Sequence, residues 1–147
     1  MSSTPAMVPI RSMGRAHAGR IRAHLLSLEP HDRYLRFGYS ANDEQIGRYV
    51  DKLQFERDEL FGIFNRKLDL IAMAHLAYSV DPSRASCAEF GVSVAPGVRG
   101  RGYGGRLFER AVMHARNEGV DLLLIHALSE NTAMLRIARK AGAVIDR

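Results

Sequence analysis

The spacing of apolar positions along this chain changes several times, and each change marks an element. Ahead of Gly14, "MVPIRSM" reads as a short strand; beyond it Ala18, Ile21, Leu25 and Leu28 recur at helical spacing. Pro30 is expected to close that helix, leaving "EPHDRYLRFGYS" as a turn-rich connection. "NDEQIGRYVDKL" reads as a second helix. Asn42 caps it, Asp43 and Glu44 suit its first turn, and Ile46, Tyr49, Val50 and Leu53 form one stripe. Next come the strands "ELFGIFN" and "LDLIAMAHLAYSV", joined through Arg66 and Lys67, and then "CAEFGVSVA". The turn chemistry of Asp81-Pro82-Ser83 predicts that they form an antiparallel meander. From Gly104 to Glu118, Leu107, Phe108, Ala111, Val112 and Ala115 mark an amphipathic helix ending at Gly119. "LLLIHAL" has the continuous apolar character of a buried parallel strand. "SENTAMLRIARKAGA" is a final helix with Gly142 near its end, and "AVIDR" opens a further strand. The predicted order is β-α-α-β-β-β-α-β-α.

Composition narrows the class. A length of 147 residues predicts a single domain over 1–147. With 46% hydrophobic and 25% charged residues the chain has enough apolar content to build a core, which excludes a disordered class. A net charge of +5 favours an anionic ligand. No tract of consecutive basic residues and no interleaved aromatic–basic signature appears, so a nucleic-acid partner is not expected. The single Cys87 rules out an internal disulfide framework and makes a reducing, cytoplasmic setting the default. The six histidines fall in no ligand spacing, so no metal site is expected. No apolar run approaches the ~18 residues of a membrane span. Met1 to Leu28 has no acid and four arginines, as a presequence would, but its helical stripe argues that it belongs to the fold.

The stretch "VRGRGYGGR" concentrates the candidate chemistry. Gly100, Gly102 and Gly105 satisfy the dinucleotide fingerprint literally, yet Ala95 to Arg99 separate them from the preceding strand. The acid required at the end of the following strand is also missing, since His126 and Ala127 stand there. A phosphate site of another kind fits better. Gly100, Gly102, Gly104 and Gly105 allow several amides to face one concavity, the helix beginning near Gly104 adds its positive end, and Arg99, Arg101 and Arg106 add charge.

"VSVAPGVRGRGYGGRLFERA" resembles the acetyl-CoA-binding segment of the GCN5-related N-acetyltransferases (GNAT), with Arg99, Gly102 and Gly104 at the three specified positions. "ENTAMLRIARKAGA" is similar to that family's later Asn-led helix through Asn131, Lys140 and Gly142, and the element order agrees from Val8 to Ala143. "VPIRSM", "DRYLRFG", "AEFGVSV" and "NTAMLRIARKAGA" further resemble the acetyltransferase domain of bacterial protein-lysine acetyltransferases. The resemblance implies an α/β (α+β) fold, a mixed and mostly antiparallel sheet with helices on both faces, whose C-terminal strands are short or missing here. It implies acetyl-CoA as co-substrate, used to acetylate a primary amine such as a protein lysine by direct attack in a ternary complex.

By that resemblance, "CAEFGVSVA" splays from "LLLIHAL" and the pantetheine arm lies between them. Backbone groups of Val92 and Val94 then bond the arm as an added strand. The amides of Arg101, Gly102, Tyr103, Gly104 and Gly105, with Gly100 and Arg99 adjoining, hold the pyrophosphate, and an amide near Gly91 and Val92 polarises the thioester carbonyl. Asn131 is expected to contact pantetheine or to cap its own helix. Glu89 is the general-base candidate: it shares a strand face with Cys87, Gly91, Ser93 and Ala95, and an acid among small residues leaves room for substrate. A solvated glutamate on an open sheet face is the alternative. Ala138 stands where many relatives carry a thiolate-protonating Tyr, leaving His126 and Tyr103 as weaker donors. "LLLIHAL" without its usual neighbours predicts a truncated C-terminus or a homodimer. The competing functions are a non-catalytic acyl-CoA-binding module and, well behind, a small basic nucleic-acid-binding domain.

Overall fold

The computed structural model describes residues 8–79, 87–125 and 131–142. Five strands, β1 (Arg11–Ser12), β2 (Glu59–Phe64), β3 (Leu70–Tyr78), β4 (Cys87–Val94) and β5 (Leu122–Ile125), lie side by side in chain order. β1 to β4 are antiparallel, while β5 runs parallel to β4, from Cys87 opposite Leu122 to Phe90 opposite Ile125. The helices are α1 (Ala18–Leu26), α2 (Pro30–Phe37), α3 (Asp43–Asp51), α4 (Tyr103–Asn117) and α5 (Thr132–Lys140).

Strand alternation divides the core into two layers. Leu60, Leu70 and Met73 face Ile21 and Leu25 of α1 and Ile46 and Val50 of α3. Phe61, Ile63, Ala74, Leu76, Ala88 and Phe90 face Leu107, Phe108 and Ala111 of α4 and Met134 of α5. Helices therefore cover both faces of a mixed, mostly antiparallel sheet, the expected α/β (α+β) class. The burial of Ile21, Leu25 and Leu28 puts the basic segment around them inside the fold.

Three expectations need correction. Pro30 does not close a helix; it opens α2 at the first helical position, where its missing N–H costs nothing. The connection is thus a third helix, capped by Gly38 at φ 85°, and the order becomes β-α-α-α-β-β-β-α-β-α. The first strand shrinks to Arg11–Ser12, because only those residues pair with β2. β5 is parallel as expected but only partly buried, with Leu122 54% exposed. The turn at Asp81-Pro82-Ser83, the residues His126 and Ala127, and "AVIDR" lie outside the described residues. Asn42 caps α3 as read, its side chain accepting from the Gln45 amide at 2.8 Å while Gln45 returns the bond to the Asn42 amide.

Candidate active site

β4 is the hinge of the site. Its pairing with β3 continues to Val94 opposite Ala72, whereas its described pairing with β5 stops at Phe90. Beyond Phe90 the edge of β4 that faced β5 borders a cleft of about 500 Å³. Val92, Val94, Arg99, Gly100, Arg101, Gly102, Tyr103, Gly104, Gly105 and Asn131 all line it. Every residue expected to bind the cofactor is brought to one surface.

The loop after β4 owes its shape to two glycines. Gly100 and Gly102 both take φ 78°, the left-handed region, and Gly102 caps α4 directly. Arg106 makes the first intrahelical bond of α4, to the Gly102 carbonyl at 3.1 Å. The amides of Tyr103, Gly104 and Gly105 precede that bond and have no helical acceptor, which is the arrangement that suits an anion. The arginines divide their work. Arg99 pairs with Asp32 of α2 across the cleft mouth, while Arg101 is exposed on the loop. Arg106, expected to add charge for phosphate, instead donates to the Val8 carbonyl at 2.6 Å and ties down the N-terminal segment. Tyr103 packs into the core at 8% exposure. Asn131 caps α5, its Oδ1 accepting from the Met134 amide at 3.2 Å, and lines the cleft as well.

A second cleft of about 390 Å³ adjoins the first. Leu35, Arg36, Val92, Asn131 and Met134 border both, so the two form one groove along the C-terminal half of β4. Glu89 lines the second cleft with its side chain exposed. It faces Ala77 across the β3–β4 ladder and has Gly91 two positions along, the small-residue setting read from the sequence. Ala138 is buried in α5 at 5% exposure, and His126 is outside the described residues.

The sequence reading missed what stands beside Glu89. Arg36 of α2 lies on Gly91 so closely that a Cβ there would be 2.6 Å from its Cζ. Its Nη2 donates to Tyr49 Oη at 3.1 Å, Tyr49 Oη is 2.5 Å from His75 Nδ1, and His75 Nε2 is 2.9 Å from Asp58 Oδ2. Arg57 and the Tyr78 amide also donate to Asp58. Burial opposes the Asp58 charge, but the bonds from His75, Arg57 and the Tyr78 amide outweigh it and hold the carboxyl at about 2. An ionised Asp58 can only accept, so His75 Nε2 carries a proton; Arg36 can only donate, which leaves the Tyr49 hydroxyl proton for His75 Nδ1. Burial also raises the Tyr49 pKa, which keeps that proton in place. "DRYLRFG" marked the segment by resemblance and gave its second arginine no role. Tyr49 read as a core-stripe residue and His75 as one of the scattered histidines.

Behind the same strand face, His24 of α1 is buried and its Nε2 lies 2.8 Å from Ser93 Oγ. Its Nδ1 makes no well-aligned hydrogen bond, and desolvation by burial lowers its pKa to about 4.

A family profile described as Acetyltransferase (GNAT) domain matches residues 8–144. The chain belongs to the GNAT acetyltransferase family. Its fold is that of the GNAT domain of S. lividans PAT, at 20% identity and a TM-score of 0.76, covering 94% of this chain and 82% of that one. A GNAT acetyltransferase from Streptococcus pneumoniae matches at 18% identity and a TM-score of 0.74, covering 95% and 86%. The aminoglycoside N-acetyltransferase AAC(6')-Iy, solved in complex with CoA, matches at 17% identity and a TM-score of 0.69, covering 100% and 94%. As a GNAT acetyltransferase the protein is an enzyme of acetyl-CoA-dependent acetyl transfer.

Proposed function

We propose that this GNAT protein acetylates a primary amine by direct attack on acetyl-CoA, with the cofactor in the larger cleft and the amine in the smaller. The observation that carries the reading is the continuity of the two clefts past Gly91 and Val92, with Glu89 beyond the junction. The pyrophosphate is held by the amides of Arg101 to Gly105 and by Arg99 and Arg101, and the pantetheine arm pairs with the open edge of β4 at Val92 and Val94. Because Asn131 Oδ1 is used by the cap, its Nδ2 is the group for the arm. An amide near Gly91 and Val92 faces the thioester oxygen as charge develops there.

An amine reaches the site mainly as ammonium. Glu89 takes its proton, directly or through water; the amine nitrogen then bonds to the carbonyl carbon, and as the carbon–sulfur bond breaks the nitrogen gives its second proton to water. CoA leaves as thiolate, since Ala138 offers no proton and Tyr103 is packed in the core. Protein lysine and small amines both satisfy this chemistry. The buried, thiol-bearing Cys87 suits a reducing compartment, so we take the cytoplasm as the setting. We also read the molecule as a homodimer, because β5 is the outermost described strand and Leu122 on it is half exposed.

The test is turnover. Protein, acetyl-CoA and a panel of amines are incubated and free thiol is measured. Tight CoA binding with no thiol release on any amine, in a folded protein, refutes catalysis and leaves an acyl-CoA-binding module.

A further inference from the structure

Among the described residues, Arg33 and Arg99 pair with carboxylates, whereas Arg36, which lines both clefts, does not. Arg99 is paired with Asp32. Arg33 is consumed by structure: it bonds the carbonyls of Leu26, Leu28 and Ala41 and pairs with Asp43 at 2.9 Å. Arg36 has one hydrogen bond among the described residues, to the neutral oxygen of Tyr49, and no ion pair. A guanidinium carries five N–H donors in a planar fork, so most of its capacity is left over after its one bond among the described residues.

The protein nevertheless holds this cation firmly. Its Cζ lies 4.8 Å from the Phe37 ring centroid and 5.6 Å from that of Tyr49, and Gly91 gives it a seat that a side chain would fill. Behind Tyr49 the chain of bonds runs through His75 to Asp58, whose side chain is 2% exposed. Phe37, Tyr49 and Gly91, with His75 and Asp58 behind Tyr49, thus hold in a cleft wall a half-buried charge that has no ion pair among the described residues. Ordering a long side chain and partly desolvating its charge is unfavourable unless a ligand supplies the missing anion.

The cofactor's phosphates are poorly placed to be that anion. Gly91 precedes Ala95 by four strand positions, roughly 13 Å of extended chain, and the phosphate loop lies beyond Ala95. The anion therefore belongs to the acceptor. Glu89 and Gly91 share a face of β4 two positions apart, roughly 7 Å along the strand. A carboxylate side chain and a fixed guanidinium at that spacing match a small molecule bearing an ammonium at one end and a carboxylate at the other.

We propose that Arg36 is a specificity-determining residue that receives the carboxylate of the acceptor, making the preferred substrate a small amino acid-like amine. The inference rests on the acetyl-transfer reading above and adds the acceptor class to it. Arg36 grips the carboxylate through its remaining N–H donors while Glu89 meets the amine, and Phe37, Tyr49 and Ala77 line the space beside them.

The experiment compares amino acids with the amines obtained by removing their carboxyl group. Free thiol release gives kcat/KM for each, and calorimetry on the CoA-bound protein gives the affinity of each pair. The expected result is a preference of roughly 10–100-fold for the carboxylate-bearing member, carried mainly in KM. In Arg36→Gln the ratio within each pair falls to near one, and Arg36→Lys keeps part of it because a point charge remains. Circular dichroism melts establish that the variants fold. Equal rates on both members in the parent, or a lysine peptide far outrunning every amino acid, overturn the proposal while leaving acetyl transfer intact. So does an Arg36→Gln loss that is equal on both members, which marks Arg36 as a group on the thioester side. If no amine is acetylated but the carboxylate-dependent affinity and its loss in Arg36→Gln persist, the catalytic reading fails and the Arg36 assignment stands.

Discussion

The Arg36 guanidinium rests on the α-carbon of Gly91, with its Cζ 2.6 Å from the place a Cβ would take. The contact joins α2 to the middle of β4, and a Cβ fits at Gly91 only if Arg36 shifts. The obstructing group is the far end of a flexible side chain, so Gly91→Ala is expected to fold, with a stability loss of about 1 kcal/mol. Arg36 must move off Tyr49 to admit the methyl group. The preference for carboxylate-bearing amines should then drop several-fold, as measured by paired kcat/KM values, with CoA affinity little changed.

Glu89→Gln keeps the shape of the smaller cleft and removes the base. We expect kcat to fall by roughly 10²–10⁴ at neutral pH, with acetyl-CoA affinity nearly unchanged. Steady-state rates and calorimetry separate the two. A variant with parental kcat and an unaltered pH profile would show that Glu89 is a solvated surface acid.

Gly102 sits at φ 78° with open space where a Cβ would be. The obstacle to a side chain is therefore conformational, since a β-branched residue is poorly tolerated in the left-handed region. Gly102→Val should pull the loop and the first amides of α4 out of register and abolish CoA binding without unfolding the protein. In the parent, affinity should fall as salt rises, because charged groups meet the phosphates. Retained binding in the variant would reduce the loop to a turn.

His24 gives stability a pH dependence. Its folded pKa of about 4 lies below the ordinary value of 6.5. Above pH 6.5 the folded and unfolded chains both hold it neutral, and its full contribution is present. As pH falls toward 4 the unfolded chain takes up a proton that the folded one refuses, so stability declines by about 3 kcal/mol. Urea titrations between pH 7 and 4 should show this decline, and His24→Gln should flatten that part of the profile.

Self-association through β5 is expected at micromolar concentration. The strand is outermost among the described residues, and Leu122 is exposed on it. Sedimentation velocity decides this. A monomer whose β5 edge is covered by the chain's own residues would remove the dimer.

The local patterns were sufficient for most of the fold. Alternation in "ELFGIFN" and "CAEFGVSVA", the Asn42 cap and the helical stripe of Leu107, Phe108 and Ala111 are short-range features, and each became the expected element. The shape of the glycine loop was legible for a related reason. Gly100 to Gly105 are neighbours in sequence, and their left-handed turns and helix end are local geometry. Pro30 misled because a proline both follows helices and begins them, and only the packing of α2 beside β4 chose between those roles. Beside Glu89, the surroundings of Arg36 could not be read from one dimension. Arg36, Tyr49, Asp58, His75 and Gly91 come from separate elements, and none carries a spacing that announces the others. Their meaning is a hydrogen-bonded sequence across space, created when α2 and α3 close over the sheet, and long-range contact is what the tertiary structure alone decides.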